Sequence, residues 1–401
     1  MPRTHRRRLL AATLLAASVM APFATAPATA VPAAVGAGPH HGDDCPPGGL
    51  GHELTAKLDR TVEDVRKQAA VPGLVVGLWL PGRGCYVRTS GVADKATGQP
   101  MFADTYVRIG SETKTFTVTA LLELVDEGRV RLDDPIDTYI RGVPNGKKIT
   151  LRHLAEMRSG LFPYTSDPEF IHDLYSEPER QLEPWEALSY GYRHKNIAEP
   201  GKTFQYCNSN LVLLGLVIEK VTGRPLRDVI HERVVRPGGL RHTFLPEGAE
   251  FPEPHAHGYS NQTLTGAVAD TTDWNPSWAW AAGGMISNLR DLRHWAPVLA
   301  TGELLSPETQ KQRLKLLPTG FPGTSYGLGI LKTNGWIGHN GSLPGYETVT
   351  VYLPEQKATM VLILNTDSLV AGGQEPSTLV ARAITRVITP DHVYAGGITP
   401  R

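Results

Sequence analysis

The sequence predicts an α/β chain of the α+β type, in which one antiparallel sheet is built from both chain ends, flanked by helices and joined by a mainly helical inserted lobe. Strand-like patterns lie near both ends, helical patterns fill the middle, and there is no repeat of solenoid or propeller length. We therefore place the globular domain at 50–390, with its sheet lobe at about 50–110 and 265–390 and its helical lobe at about 111–264. Residues 391–401 are expected to form a C-terminal tail.

The domain is expected to begin with a helix that leads into a β-hairpin. Before a Pro-Gly pair, four apolar residues recur at helical spacing: Leu54, Leu58, Val62 and Val65. The runs 74–80 and 85–92 are typical of strands, and the Pro-Gly-Arg-Gly segment between them is typical of a hairpin turn. A short third strand is predicted over 106–109.

Two nearly all-apolar helices are predicted in the middle of the chain, over 111–127, stopped by Gly128, and over 211–221, ended by Gly223. Another helix is predicted near 289–299. The C-terminal part is assigned four strands and a last helix: 326–331, 336–339, 347–353, 359–364 and about 377–388.

Residues 1–30 have the pattern of a secretory signal peptide. Thr4-His5-Arg6-Arg7-Arg8 is followed by an apolar run over 9–26 and then by small residues such as Ala28-Thr29-Ala30. The arginines fit either the general secretory route or the twin-arginine route. Pro22 and the cleavage-like ending argue against a membrane anchor, so we predict a secreted protein without a stable membrane span.

Composition excludes two classes of protein. Lys+Arg 40 and Asp+Glu 40 give zero formal charge, and 41% of residues are hydrophobic, which excludes a disordered chain and a polycation for nucleic acid. Residues 1–30 hold four Arg and no acid, so their removal leaves 40 − 4 = 36 basic against 40 acidic residues, a net charge of −4. We expect no nucleic-acid partner, no cofactor, no metal, and a monomer.

The chain has three cysteines, which are too few for a fold of this length to be held together mainly by disulfide bonds. Cys45 and Cys85 lie in the N-terminal part and could pair in an oxidising compartment, which leaves Cys207 as the odd residue. A buried structural thiol is favoured over a catalytic one for Cys207.

A hydroxyl and an amine are spaced to meet at the start of the first apolar helix. Ser111 and Lys114 stand at i and i+3 in Gly-Ser-Glu-Thr-Lys, so they share one helix face. The helix N-terminus favours an oxyanion at Ser111, and the same field together with burial lowers the pKa of Lys114 towards that of a useful base. One Ser-x-x-Lys match is weak evidence by itself.

Two further motifs strengthen the prediction of a catalytic site. Tyr206-Cys207-Asn208 lies directly before the second apolar helix, and His339-Asn340-Gly341 lies at the end of a strand. No His-Glu-x-x-His and no Gly-x-Ser-x-Gly is present, so zinc-protease and α/β-hydrolase sites lack their main signal.

In the order Ser-x-x-Lys, Tyr-x-Asn, His-x-Gly, these motifs resemble the active-site signature of the serine penicillin-recognising enzymes: DD-peptidases, class C-type β-lactamases and their esterase relatives. The resemblance covers roughly 54–388 and is strongest to soluble secreted D-alanyl-D-alanine carboxypeptidases, which also carry His in the third motif. It implies a β-lactamase/DD-peptidase-like fold.

The resemblance also implies roles. Ser111 would attack a carbonyl and form an acyl-enzyme, with either Lys114 or Tyr206 as the general base. Asn208 would hold a substrate amide, and the backbone N–H groups of Ser111 and Ser342 would form the oxyanion hole.

Four further predictions concern the substrate side of the site. His339 is considered as a cation that binds an anionic substrate, so that binding weakens between about pH 6 and 8. Gly341 would let the strand approach the substrate closely. Asn340 stands where relatives usually have Thr, and Trp278 either lines the cleft or packs in the core.

The predicted function is a secreted serine-type D-Ala-D-Ala carboxypeptidase that acts on peptidoglycan-type peptides and is acylated by β-lactams. The alternatives are a β-lactamase-like hydrolase or esterase and, from another class, a non-catalytic peptidoglycan or antibiotic binding module. The Arg that binds the substrate carboxylate in the carboxypeptidases is absent here, where Ile330, Leu331 and Lys332 follow the Tyr-Gly-Leu-Gly segment. Serine acyl transfer is therefore better supported than carboxypeptidase specificity.

Overall fold

Residues 49–396 are described by a computed structural model, in which an eight-stranded antiparallel sheet and two strand pairs are surrounded by helices. The strands are β1 (Gly73–Leu80), β2 (Gly84–Gly91), β3 (Val107–Arg108), β4 (Tyr259–Ser260), β5 (Ala269–Asp270), β6 (Ile286–Ser287), β7 (Leu317–Pro318), β8 (Thr324–Tyr326), β9 (Leu331–Thr333), β10 (Trp336–Leu343), β11 (Tyr346–Leu353) and β12 (Ala358–Leu364). The α-helices are α1 (His52–Gln68), α2 (Thr113–Asp126), α3 (Leu151–Ala155), α4 (Pro168–Ser176), α5 (Pro184–Tyr192), α6 (Asn208–Thr222), α7 (Leu226–Ile230), α8 (Trp280–Gly283), α9 (Leu289–Thr301), α10 (Pro307–Arg313) and α11 (Pro376–Ile388).

The large sheet joins the two ends of the domain. Its order is β2-β1-β12-β11-β10-β9-β8-β7. The N-terminal hairpin is attached to the C-terminal strands by β1 and β12, which pair from Leu74 opposite Leu364 to Trp79 opposite Thr359. This confirms the predicted α+β class and the antiparallel sheet flanked by helices.

Both faces of the sheet are covered. On one face α1 packs against α11, and Leu58 and Val62 share a core with Val380 and Ile384. On the other face, helices from the middle of the chain form a second core that includes α2 and α6. β12 is buried along its whole length, and its sequence is apolar except for Thr359 rather than alternating between apolar and polar residues.

Helix α2 is buried on nearly all sides, as its sequence predicts, since no charged residue lies between Lys114 and Glu123. Phe116 stacks on Trp295 with ring centroids 4.3 Å apart. Thr117 Oγ1 donates a hydrogen bond to the carbonyl of Ala281, at 2.8 Å. The helix therefore gives rigid support to the residues at its N-terminus.

Three predicted elements differ from the structure. The strand predicted over 336–339 continues to Leu343, so the third motif lies inside β10 and not at the end of a strand. The helix predicted over 111–127 starts with a 3₁₀ turn, Gly110–Glu112, before α2 begins. The single strand predicted over 326–331 is wrong: β8 ends at Tyr326 and β9 starts at Leu331. Gly329 adopts a left-handed φ of 61°, which interrupts the extended backbone.

Several predictions fall wholly or partly outside the described residues: the signal peptide at 1–30, Cys45, and the tail from 397 onward. Cys85 is disulfide-bonded, whereas Cys207 is a free, buried thiol; the Cys45–Cys85 pairing stays a prediction.

The described part of the expected tail packs on the domain. Tyr394 is buried, and Trp336 Nε1 donates a hydrogen bond to the carbonyl of His392 at 2.8 Å. Within residues 49–396, none of the helices combines the length and apolar character needed to cross a bilayer.

Candidate active site

Ser111 and Lys114 lie within hydrogen-bond distance of each other. Ser111 is in the 3₁₀ turn and Lys114 is in the first turn of α2. Lys114 Nζ and Ser111 Oγ are 2.8 Å apart. Lys114 Nζ also donates a hydrogen bond to the carbonyl of Ala282 at 2.6 Å, which fixes the amine beside the serine hydroxyl.

Burial shifts the pKa of Lys114. Its side chain is fully buried, and burial lowers its pKa well below the ordinary value of lysine, with only a smaller opposing effect from Cys207. A neutral amine has a lone pair that can accept the proton of Ser111. Lys114 therefore has the geometry of a general base, and its lowered pKa favours the neutral form that a base requires.

Tyr206 lies beside the amine, with its ring centroid 4.8 Å from Lys114 Nζ. Burial raises the pKa of Tyr206, and the neighbouring Ser111 hydroxyl opposes that rise. The Tyr206 hydroxyl is buried and makes no hydrogen bond of good geometry with another described residue. Because a phenol with a raised pKa keeps its proton, the opposite pKa shifts of the two residues favour Lys114 as the base and Tyr206 as a proton donor.

Ser342 lies against the turn that carries Ser111. A Cβ on Gly110, which has a φ of 51°, would be 2.6 Å from the backbone nitrogen of Ser342, so this approach requires glycine. The first N–H groups of a helix have no partner within it. The structure thus brings the backbone of Ser111 and Ser342 together, and their role as an oxyanion hole stays a prediction.

Gly341 is explained by packing inside the protein. A Cβ at this position would lie 1.9 Å from the carbonyl oxygen of Ile109 and 2.6 Å from Thr348 Oγ1. The space next to Gly341 is therefore filled by the chain that leads to Ser111. This packing accounts for glycine at position 341, and the close approach of the strand to substrate stays a prediction.

Gly341→Ala is expected to destabilise the fold by about 3 kcal/mol, because the added methyl group must push Ile109 away. It should also slow acylation, since Ser342 moves relative to Ser111. Urea unfolding and penicillin labelling measure the two effects. Gly248→Ala is the control: its Cβ would meet side-chain atoms only, those of Gln181, Glu250 and Asn275, at 3.3 to 3.7 Å. Equal unfolding midpoints for the two variants would contradict this account.

His339 is held as a neutral imidazole. Its Nδ1 lies 2.5 Å from the carbonyl oxygen of Asn340, which can only accept, so Nδ1 carries the proton. Nε2 then accepts a hydrogen bond from the Tyr326 hydroxyl at 3.0 Å. Burial lowers the pKa of His339 to about 3, and Lys114 acts in the same direction. The prediction that His339 is a cation near neutral pH is therefore wrong.

The His339 ring is expected not to titrate between pH 4 and 8. As pH falls through about 6.5, the imidazole of His339 binds a proton in the unfolded chain but not in the folded protein. This group therefore lowers stability progressively from about pH 6.5 towards pH 3. Imidazole NMR, with the signal assigned through His339→Asn, measures the titration. A ring that titrates near 6.5 would contradict the neutral assignment.

Asn208 and Ser342 are both partly exposed, although the Asn208 Oδ1 atom itself is buried. Asn208 is the first residue of α6, is half-buried, and its Oδ1 has no hydrogen-bond partner among the described residues. Ser342 is half-buried on β10. Their substrate contacts stay predictions.

For Asn340 and Trp278, the structure shows packing positions. Asn340 lies opposite Val349, a core residue on the sheet face that carries α11, so its side chain belongs to that face. Trp278 packs edge-on against Phe170, with centroids 5.9 Å apart, and its carbonyl accepts a hydrogen bond from Tyr164. The structure thus supports a packing role for Trp278.

Sequence reasoning missed two partners of the motif residues. Ala282 acts through its carbonyl oxygen, for which the sequence holds no signal. Tyr326 orients His339, and its position in the Tyr-Gly-Leu-Gly segment was the available signal. Within residues 49–396 there is no group of three or more His, Cys, Asp or Glu that could hold a metal ion.

A serine hydrogen-bonded to a buried lysine with a lowered pKa, beside a tyrosine and a helix N-terminus, defines a serine hydrolase site of the acyl-transfer type. The protein-family model described as Beta-lactamase matches residues 58–384, so the chain belongs to the β-lactamase family.

Solved structures and curated proteins agree with this family. A D-stereospecific amidohydrolase from Streptomyces sp. is 31% identical, with a TM-score of 0.74 over 84% of this chain and 99% of that chain. A D-amino acid amidase from Ochrobactrum anthropi SV3 is 30% identical, with a TM-score of 0.74 over 84% and 98% of the two chains. A D-aminopeptidase from Brucella anthropi is 29% identical over 78% of this chain, which spans only 59% of that relative.

Proposed function

We propose that this protein hydrolyses amide bonds next to D-amino acids through an acyl-enzyme on Ser111. The observation that carries the proposal is the hydrogen bond between Ser111 and a buried lysine whose pKa is lowered well below its ordinary value. The names of the amidohydrolase, amidase and aminopeptidase relatives supply the D-amino-acid substrate class.

The reaction follows from these positions. Ser111 Oγ attacks the carbonyl carbon while Lys114 Nζ takes its proton, and the oxyanion is held by the N–H groups of Ser111 and Ser342. The C–N bond breaks as the leaving nitrogen receives a proton from Tyr206, which Lys114 can restore. Water then attacks the ester carbon while Lys114 Nζ takes its proton. As the ester C–O bond breaks, Lys114 returns that proton to Ser111 Oγ, and the acid is released.

Charge in the site favours neutral amides over peptides with a free carboxylate. Leu331 is buried and apolar at the position where the carboxypeptidases have Arg. Lys114 and His339 both have lowered pKa values, so neither supplies a fixed cation. A carboxylate in such a site would be left without a charged partner.

D-Ala-D-Ala carboxypeptidase activity is the second candidate. Lys332 is half-buried on β9 and pairs with Ile337 of β10, two residues before His339. An ammonium group is therefore present on the strand next to the third motif. A single point charge binds carboxylate less specifically than the two-pronged guanidinium of Arg.

The decisive experiment offers the mature protein D-phenylalanine amide, its L-enantiomer and a D-Ala-D-Ala peptide. We expect ammonia release from the D-amide to exceed release from the L-amide by at least about 100-fold, which corresponds to about 2.7 kcal/mol. Release of D-Ala as the dominant reaction would favour the carboxypeptidase. Mass spectrometry with benzylpenicillin tests β-lactam acylation, and nitrocefin turnover would indicate a β-lactamase.

Export is a separate part of the proposal. Residues 1–30 support secretion through their basic start, apolar run and small-residue ending. Expression of the full chain, followed by N-terminal sequencing of the protein from the culture medium, tests it. An uncleaved protein that stays inside the cells would overturn it.

A further inference from the structure

Glu112 is a buried carboxyl beside the nucleophile, and the reaction proposed above does not use it. It follows Ser111 in the 3₁₀ turn Gly110–Glu112 and is only 1% exposed. Neither carboxyl oxygen makes a hydrogen bond of good geometry with a described residue. Since an ionised carboxyl is rarely buried without a partner, the position calls for an explanation.

The carboxyl group faces strand β11, next to the hydroxyls of Thr348 and Thr350. These two residues lie opposite Gly341 and His339 of the third motif. Glu112 therefore lies between the turn that carries the nucleophile and the strand that pairs with the third motif.

One arrangement of hydrogen-bond donors and acceptors would give a partner to both Glu112 oxygens and to both threonine hydroxyls. Thr348 Oγ1 donates its proton to the carbonyl of Ile109 at 3.2 Å, so it can only accept from Glu112. Thr350 Oγ1 is buried without a partner and can donate to Glu112. A protonated carboxyl donates to Thr348 and accepts from Thr350, whereas a carboxylate leaves one oxygen without a donor.

We propose that Glu112 is a positioning residue that works as a neutral carboxylic acid, linking the Ser111 turn to strand β11 and so setting the distance between Ser111 and Ser342. Its ionisation breaks this link and places a negative charge beside the oxyanion hole. The protein therefore loses acylating activity in the alkaline range through Glu112.

The titratable groups around the turn offer no fixed cation to an ionised Glu112. Of the elements packed on the turn, β10 presents His339 and α2 presents Lys114, both with lowered pKa values. Tyr206 and Tyr394 are phenols with raised pKa values, and Glu112 contributes to the rise at Tyr394. Burial raises the pKa of Glu112 to about 8, with the two threonine hydroxyls opposing.

The first test measures the rate of acylation by a fluorescent penicillin from pH 6 to 10, and this arm rests on the proposed function. Wild type should lose about tenfold in rate per pH unit above about 8. Glu112→Gln keeps a neutral donor and acceptor, so its rate should stay within about threefold of wild type at pH 7 and lack that decline. Glu112→Leu should be at least about 50-fold slower at every pH. A Gln variant that declines like wild type, or a Leu variant as fast as Gln, would overturn the proposal.

The second test needs no substrate. Between the ordinary glutamate pKa of 4.5 and about 8, the unfolded chain is ionised while folded wild type keeps its proton, so wild type loses stability with rising pH. Glu112→Gln has no such loss. Its advantage in the folding equilibrium constant should grow to about 10³-fold by pH 8 and then level off. Parallel stability curves would overturn the inference. If the curves diverge but no amide or β-lactam acylates Ser111, the proposed function fails and the neutral state of Glu112 stands.

Discussion

Ser111→Ala is expected to abolish covalent labelling by a fluorescent penicillin and to lower amide hydrolysis by about 10⁴-fold or more, because no acyl-enzyme can form without the hydroxyl. The fold should survive, since the Ser111 side chain bonds only to Lys114 among the described hydrogen bonds. Gel fluorescence, intact mass and thermal unfolding measure these effects. Undiminished labelling of the variant would remove Ser111 as the nucleophile.

Cys207→Ala is the matched control, because Cys207 is the other nucleophilic side chain near Lys114. Its thiol is fully buried, its Sγ lies 3.7 Å from the carbonyl of Leu161, and burial raises its pKa. Such a thiol stays protonated and unreactive. Labelling should therefore persist in Cys207→Ala. If labelling were lost in Cys207→Ala and persisted in Ser111→Ala, the nucleophile would be Cys207.

Lys114→Met is expected to slow acylation by about 10³-fold, since it removes the base and keeps a side chain of similar length. The same change should raise thermal stability. Because burial lowers the pKa of Lys114 in the folded state, the unfolded chain binds a proton below pH 10.5 that the folded protein binds only at lower pH. Lys114→Met has no such proton linkage. Its free energy of unfolding should therefore exceed that of wild type by an amount that grows as pH falls from about 10 and levels off below the pKa of Lys114 in the folded protein.

Lys114→Arg separates charge from basicity. Arginine cannot lose its proton in a protein, so it cannot accept one from Ser111, and it brings a charge into a fully buried position. We expect this variant to be as slow as Lys114→Met but less stable than wild type. Stopped-flow acylation and calorimetry measure the pair. Substantial activity in Lys114→Arg would show that a cation rather than a base is required.

Much of the fold followed from the sequence because its signals are local. The all-apolar run after Lys114 predicted a buried helix, and α2 is buried on nearly all sides. Gly223 was expected to end the second apolar helix, and it adopts the left-handed conformation with a φ of 70° directly after α6. The motif order predicted that residues far apart in sequence meet, and Lys114 contacts both Ser111 and the ring of Tyr206.

What could not be predicted depends on contacts between distant backbones or on burial. The Ala282 carbonyl fixes Lys114 through a backbone atom that every residue type carries. The neutral state of His339 arises from burial and from its hydrogen bonds to Asn340 and Tyr326. The need for Gly341 comes from the carbonyl of Ile109, which lies far away in the sequence.

The site and the sheet are held together by contacts between residues far apart in the sequence, so we expect the protein to become reactive only late in its synthesis. Gly73 N donates a hydrogen bond to Asn365 Oδ1 across 292 positions of sequence, and Thr348 reaches Ile109 across 239. Contacts between residues so far apart in the sequence form slowly, because a long loop must close before the two residues can meet. A nascent chain that ends before β10 carries the nucleophile and its base but lacks Ser342 and the third motif. Covalent trapping of ribosome-released fragments should therefore begin only once the last strands have emerged.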